Sequence, residues 1–119
     1  MKIEIPGLDV KKGLELYDDD EELYLIILRS YVKNTPDVLD KLRDVSSDTL
    51  GDYAITVHGI KGTSTNIGAE DLRKAALELE LLAKAGDLAG VQAGNEAFIK
   101  KGEVLISDIR SWLENIDTD

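Results

Sequence analysis

The sequence predicts an all-α fold, an up-down four-helix bundle with one or two short extra helices near the N-terminus. Three observations predict it. Alanine, leucine, lysine and the acidic residues are abundant, whereas aromatic residues make up 5% and there are two prolines, a mix that favours helix over sheet. Apolar residues recur at three- and four-residue steps in successive segments. The connections between these segments are short, which makes neighbouring helices antiparallel.

The first helical segments precede a proline. Asp9–Leu16 predicts a brief helix, and the loop Tyr17–Asp20 ends in an aspartate suited to an N-cap. Asp20–Asn34 predicts the first principal helix. Its expected inward stripe is Leu23, Ile26, Ile27 and Tyr31. We expect a new short helix to begin at Thr35-Pro36, because proline is tolerated at the first helical position.

Thr49–Ile67 predicts the second principal helix. Its stripe of inward residues is Leu50, Tyr53, Val57, Ile60, Ser64 and Ile67. Thr49 and Asp52 have the spacing of a capping box, and Gly68 is a natural stop. A loop over residues 57–62 is the alternative that the glycines there suggest, but the unbroken stripe argues against it.

Ala69–Ala85 and Leu88–Asn115 predict the last two principal helices, separated by a turn at Gly86-Asp87. The inward residues expected in the first are Leu72, Ala75, Ala76, Leu79, Leu82 and Ala83. Those expected in the second are Val91, Phe98, Leu105, Ile109, Trp112 and Ile116. On the polar side of the helix Ala69–Ala85 we predict two ion pairs with a spacing of one helical turn, Glu70–Lys74 and Glu80–Lys84. No segment has the alternation of a strand.

Length and charge limit the functions that the chain can have. A chain of 119 residues fits one domain, expected over residues 1–119. Twenty-four acidic and fourteen basic side chains give a net charge of -10, which predicts no nucleic-acid and no membrane partner. The absence of cysteine excludes disulfides, thiolate metal sites and thiol catalysis. With no apolar signal core and no membrane-spanning run, the expected location is cytoplasmic.

The single histidine, His58, is the candidate functional residue. On a helical projection it falls roughly 120–130° from the centre of the inward stripe, so its imidazole faces solvent. Lys61 lies one turn further on, close enough to stand beside an anion at the ring. Ile55 points almost directly away from the core, and Gly59 and Gly62 each cost about 1 kcal/mol relative to alanine within a helix.

These residues predict a reactive imidazole on an open surface, unlike the pocket of a hydrolase. Glycines remove side chains from a helix face, so another protein or a phosphoryl group can come close. An exposed Ile55 is suited to anchor a docking partner. The sequence is equally consistent with the alternative in which Ile55 packs on the short N-terminal helix.

The stretch 58–69, His-Gly-Ile-Lys-Gly-Thr-Ser-Thr-Asn-Ile-Gly-Ala, resembles the signature of the histidine phosphotransfer (HPt) domain family. That signature is His-x-x-Lys-Gly-x-Ser followed by an Ile-Gly-Ala-like helix junction. The wider resemblance, in helix order, covers essentially the whole chain. One departure is Val57, which stands where the family often has alanine, but this position faces inward.

The resemblance implies that His58 exchanges a phosphoryl group with the aspartyl phosphate of a receiver domain. Lys61 would neutralise the phosphoryl oxygens. It also implies that Gly62 leaves room for the receiver and that Ser64 supports the helix of His58. From their positions on the sequence, we add Gly59, Ile55 and Thr65 to the residues expected in close approach and docking, and Gly68 to those expected in structural support. The chain would be a monomeric phosphocarrier without catalytic activity, metal or cofactor of its own, because the receiver provides Mg²⁺ and the aspartate. The implied partners are response-regulator receiver domains and/or a hybrid sensor histidine kinase.

Other functions are weaker interpretations of the same sequence. A non-phosphorylated helical adaptor that binds a receiver or kinase through the same face is the main alternative. The acidic run 18–22 lacks the EF-hand pattern, since Leu23 stands where glycine is needed and Arg29 where glutamate is needed. Asp48-Thr49-Leu50 resembles the attachment site of acyl carrier proteins, but threonine replaces the serine that would hold the prosthetic group.

Overall fold

The structure is a computed structural model that describes residues 2–117. Within that range it contains five α-helices and no strand, which confirms the all-α prediction. The helices are α1 (Val10–Glu15), α2 (Glu21–Asp40), α3 (Leu50–Thr65), α4 (Glu70–Lys84) and α5 (Leu88–Asp117). None of the helices in this part of the chain is both long and apolar enough to cross a membrane.

Helices α2 to α5 form the predicted four-helix bundle, and α1 is one short extra helix that lies against α2. The hairpin of α3 and α4 has the most extensive packing, and α5 packs on both α4 and α2. Arg43, just after α2, pairs with Glu103, whereas Arg29, in the first half of α2, pairs with Asp117, so α2 and α5 run antiparallel. The 30 residues of α5 extend about 45 Å, close to the molecule's longest dimension of 48 Å.

The inward face of α2 differs from the predicted stripe. Tyr31 is buried as predicted, but Leu23 and Ile26 are exposed and Ile27 is only partly buried. The buried face of α2 consists of Tyr24, Leu28, Tyr31, Thr35 and Leu39. Both stripes have helical spacing. The observed stripe is the one whose tyrosines find partners, because Tyr31 bonds to Ser64 of α3 and Tyr24 bonds to Ile67 in the junction that follows α3.

The predicted break at Thr35-Pro36 is wrong, since α2 continues through Pro36 to Asp40. Proline has no N–H, so the Val32 carbonyl loses the helical hydrogen bond that residue 36 would donate. The Arg110 guanidinium of α5 donates to this carbonyl instead, at 3.5 Å. A side chain from another helix therefore satisfies the acceptor that the proline leaves open.

Contacts from the N-terminal part of the chain fix the junction between α3 and α4. Gly68 has a φ of +80°, and its carbonyl accepts a hydrogen bond from the Asp9 amide at 2.8 Å. The Tyr24 hydroxyl donates to the Ile67 carbonyl at 2.7 Å, and the Tyr17 hydroxyl donates to the Asn66 carbonyl at 2.8 Å. Three bonds from outside α3 thus hold its C-terminal end.

The start of α3 lacks the predicted capping box. Thr49 is the N-cap residue, but its side chain makes no capping hydrogen bond within the helix. Its hydroxyl instead accepts from the Ser46 amide at 2.9 Å. The threonine therefore closes the preceding turn, which leaves its oxygen unavailable for the helix.

We predict that Gly68→Ala destabilises the protein more than Gly86→Ala. Both glycines have left-handed backbone, which costs an alanine about 1–2 kcal/mol. A Cβ at residue 68 would also collide with the Asp9 carbonyl, whereas one at residue 86 would meet no atom within 4 Å. We expect the collision to add roughly 1–3 kcal/mol. Urea unfolding of the two variants measures the difference, and equal losses would contradict this account of the junction.

Candidate functional site

His58 lies on the solvent face of α3, as the projection predicts. The adjacent Val57 and the nearby Ile60 are buried in the core, which turns the histidine outward. Its side chain is 63% exposed. Lys61, one turn further along α3, keeps 25% of its side chain exposed.

A carboxylate from α4 joins these two side chains. The Nδ1 atom of His58 lies 2.6 Å from Oε2 of Glu80, and the Lys61 ammonium donates to Oε1 of Glu80 at 2.6 Å. The Lys84 ammonium lies 3.0 Å from the same Oε2. Glu80 itself is only 2% exposed. The packing of α4 on α3 therefore gathers a histidine and two lysines around one buried carboxylate.

The prediction that placed Glu80 on the polar side of α4 is wrong. The predicted Glu80–Lys84 pair does form, but its carboxylate points into the interface with α3. Leu72, Ala76 and Glu80 follow each other at four-residue steps, and all three are buried. The four-residue spacing of Glu80 from Leu72 and Ala76 was therefore the feature of the sequence that indicated its burial. The predicted Glu70–Lys74 pair is replaced, because Glu70 bonds to Arg73 and Lys12.

The surroundings of Glu80 lower its pKa from 4.5 to about 2. The hydrogen bond from Lys61 is the largest cause, and bonds from Lys84 and His58 act in the same direction, whereas burial opposes them. Glu80 is therefore ionised at neutral pH and can only accept hydrogen bonds. It follows that Nδ1 of His58 carries a proton, so that in the neutral ring Nε2 has the lone pair.

The surface beside His58 is open. A Cβ added at Gly59 or at Gly62 would meet no atom within 4 Å. Ile55 is 72% exposed, so the alternative in which it packs on the N-terminal helix is wrong. Thr65 is also exposed, and its hydroxyl donates to the Lys61 carbonyl at 2.9 Å. The arrangement leaves room for a large partner to approach the imidazole.

Ser64 and Gly68 lie away from the imidazole, on the inner side of the structure. Ser64 is fully buried, and its hydroxyl is 3.2 Å from the hydroxyl of Tyr31. Gly68 contacts the Asp9 segment at the junction of α3 and α4. Both residues therefore contact other parts of the structure and not the imidazole of His58. Within residues 2–117, no group of three or more acidic, histidine or cysteine side chains is arranged to hold a metal ion.

Comparison with known proteins identifies a family. The family model described as the Hpt domain matches residues 26–119, which is more than half of the chain. The matched region includes α3, α4 and α5 in full and most of α2. No curated protein and no solved structure matches the chain.

The pKa of Glu80 predicts how its contribution to stability depends on pH. A carboxyl with a lowered pKa in the folded state stabilises the protein fully above its ordinary value of 4.5. This contribution is lost as the pH falls from 4.5 towards 2. We therefore expect the free energy of unfolding lost on Glu80→Gln to be larger at about pH 6 than at about pH 3.

Urea unfolding of wild type and Glu80→Gln at both pH values measures this difference. Glu78→Gln is the matched control, because Glu78 is an exposed glutamate on the same helix. We expect the effect of the control to be the same at both pH values. A Glu80→Gln loss that does not change with pH would contradict the ionised, paired state of Glu80.

Proposed function

The chain belongs to the Hpt domain family, which serves histidine phosphotransfer in two-component signalling, and on this premise we propose that His58 carries the phosphoryl group. It would accept the group from the aspartyl phosphate of one response-regulator receiver domain and pass it to another in a multistep phosphorelay. The observation that carries this proposal is the hydrogen bond of 2.6 Å between Nδ1 of His58 and Glu80. This bond leaves the Nε2 lone pair on the solvent side of an exposed ring.

The steps of phosphoryl transfer follow from the neutral tautomer of His58 that has its proton on Nδ1. The Nε2 lone pair of His58 attacks phosphorus, an Nε2–P bond forms, and the P–O bond to the receiver's aspartate breaks. The aspartate leaves as a carboxylate, and Nδ1 keeps its proton. The ring is then a cation that carries the phosphoryl group, and the adjacent Glu80 carboxylate stabilises that positive charge. Attack by a second receiver's aspartate reverses these steps and restores the neutral imidazole.

The remaining side chains support positioning and charge. Lys61 is held near the imidazole by its bond to Glu80. Its positive charge there favours the negatively charged phosphoryl group on His58. Gly59 and Gly62 leave space for the receiver. The receiver would supply Mg²⁺ and the aspartate, so a carrier needs no metal of its own. Ser64 and Gly68 would act by holding α3 in place.

We further propose that this carrier works as a single domain over residues 1–119, as a monomer and in the cytoplasm. Its partners would be response-regulator receiver domains, a hybrid sensor histidine kinase, or both. A helical adaptor that is never phosphorylated would use the same face, but it would not need a carboxylate that orients the imidazole. The buried Glu80 therefore favours the carrier.

We predict that the protein takes up label from a phosphorylated receiver and that the label is acid-labile and alkali-stable. This stability distinguishes a phosphoryl group bound to nitrogen from one bound to a serine hydroxyl. His58→Gln should take up none, because His58 is the only histidine in the chain. The proposal fails if wild type is not labelled by any receiver, or if His58→Gln is labelled equally well.

A second prediction concerns docking through Ile55. We expect Ile55→Ala to slow transfer from a receiver at low concentration by roughly 5- to 10-fold, the effect of removing an anchor worth more than about 1 kcal/mol. Labelling by the small donor phosphoramidate should not change, because that donor needs no docking surface. Val104→Ala, which shortens an exposed apolar side chain on α5, is the control. Equal transfer rates in the two variants would exclude Ile55 as a docking anchor.

A further inference from the structure

We propose that Lys84 is the lysine that binds the phosphoryl oxygens directly when His58 is phosphorylated, an inference that rests on the proposed function. In the unphosphorylated protein, Lys84 bonds to Glu80. When the phosphoryl group is on Nε2, Lys84 leaves Glu80 and binds the phosphoryl oxygens. Lys61 remains on Glu80 in both states.

The hydrogen bonds of Glu80 indicate which lysine can leave. Its Oε2 has two partners, His58 at 2.6 Å and Lys84 at 3.0 Å, whereas its Oε1 accepts from Lys61 alone. If Lys84 leaves, each carboxylate oxygen still has one donor. If Lys61 leaves, one oxygen of a carboxylate that is 2% exposed loses its donor. An unsatisfied buried charge is costly, so release of Lys84 is the less costly exchange.

The exposure of the two lysines also indicates that Lys84 is released more easily than Lys61. The side chain of Lys84 is 62% exposed, compared with 25% for Lys61. Lys84 therefore loses little packing when it moves, and its four-carbon chain gives the ammonium a wide reach. Lys84 also starts beside the imidazole, because its ammonium and Nδ1 of His58 contact the same oxygen of Glu80.

Phosphorylation makes the site more negative, which favours movement of Lys84 from Glu80 to the phosphoryl group. With neutral His58, two lysines and one glutamate leave a single excess positive charge on a protein whose net charge is -10. Phosphorylation places a charge of about −2 on the phosphoryl oxygens and leaves the ring as a cation, so the net charge of the site falls by about one. Lys84 can neutralise part of this charge directly, while Lys61 continues to neutralise Glu80. The site thus has a reserve cation that the unphosphorylated state does not need.

The experiment is a ³¹P NMR pH titration of the full chain labelled on His58 with phosphoramidate. In this labelling the P–N bond of the donor breaks, ammonia leaves, and an Nε2–P bond forms. A cation in contact with the phosphoryl group lowers the pKa of that group. We expect Lys84→Gln to raise this pKa by about 0.5 of a pH unit, the size expected for one exposed ion pair. Lys84→Arg should titrate like wild type.

Lys74→Gln is the matched control, because it removes the same charge from an exposed lysine earlier on α4. The proposal is overturned if Lys84→Gln titrates at the wild-type pH, or if Lys74→Gln raises the pKa as much. Loss of labelling in Lys84→Gln supports the proposal if the variant keeps its helical circular dichroism and Lys84→Arg restores labelling. A wild-type protein that neither phosphoramidate nor any receiver labels would instead refute the proposed function, whatever Lys84 does.

Discussion

The buried carboxylate of Glu80 is the constraint on which the rest of the site depends. A charge that is removed from water must be paired, and within residues 2–117 the partners of Glu80 come from its own helix and from α3. Satisfying it requires α3 and α4 to pack in one register, with His58 and Lys61 opposite Glu80. The same bonds orient the imidazole and determine which nitrogen carries the proton. Packing and chemistry therefore depend on one contact.

The rest of the bundle holds α3 so that this contact persists. At the C-terminal end of α3, Tyr24 donates to the Ile67 carbonyl. Towards its N-terminal end, Tyr53 donates to Asn95 of α5, whose amide in turn donates to the Leu42 carbonyl. All of these groups are buried, and within residues 2–117 no buried side-chain polar atom lacks a partner. The helix that carries His58 is thus fixed near both ends, while its solvent face remains open.

This open face has a cost in stability. Gly59 and Gly62 each lose about 1 kcal/mol relative to alanine, although a Cβ would fit at both positions. Ile55 exposes a large apolar side chain to water. None of these features stabilises the bundle, and all of them surround the imidazole. Such local losses are characteristic of surfaces that are selected for an encounter with a partner and not for stability alone.

The sequence predicts the helical segments and the outward direction of His58, because helical periodicity depends on residues only three or four positions apart, but it also predicts a break at Thr35-Pro36 that α2 does not have. It did not determine the features that depend on other helices. The inward face of α2 is the one whose Tyr24 bonds to the junction after α3, and the carbonyl opposite Pro36 accepts from Arg110 of α5. Glu80 is buried against residues 19 and 22 positions away. A local pattern identifies a polar residue, but only tertiary packing decides whether that residue meets water or a partner.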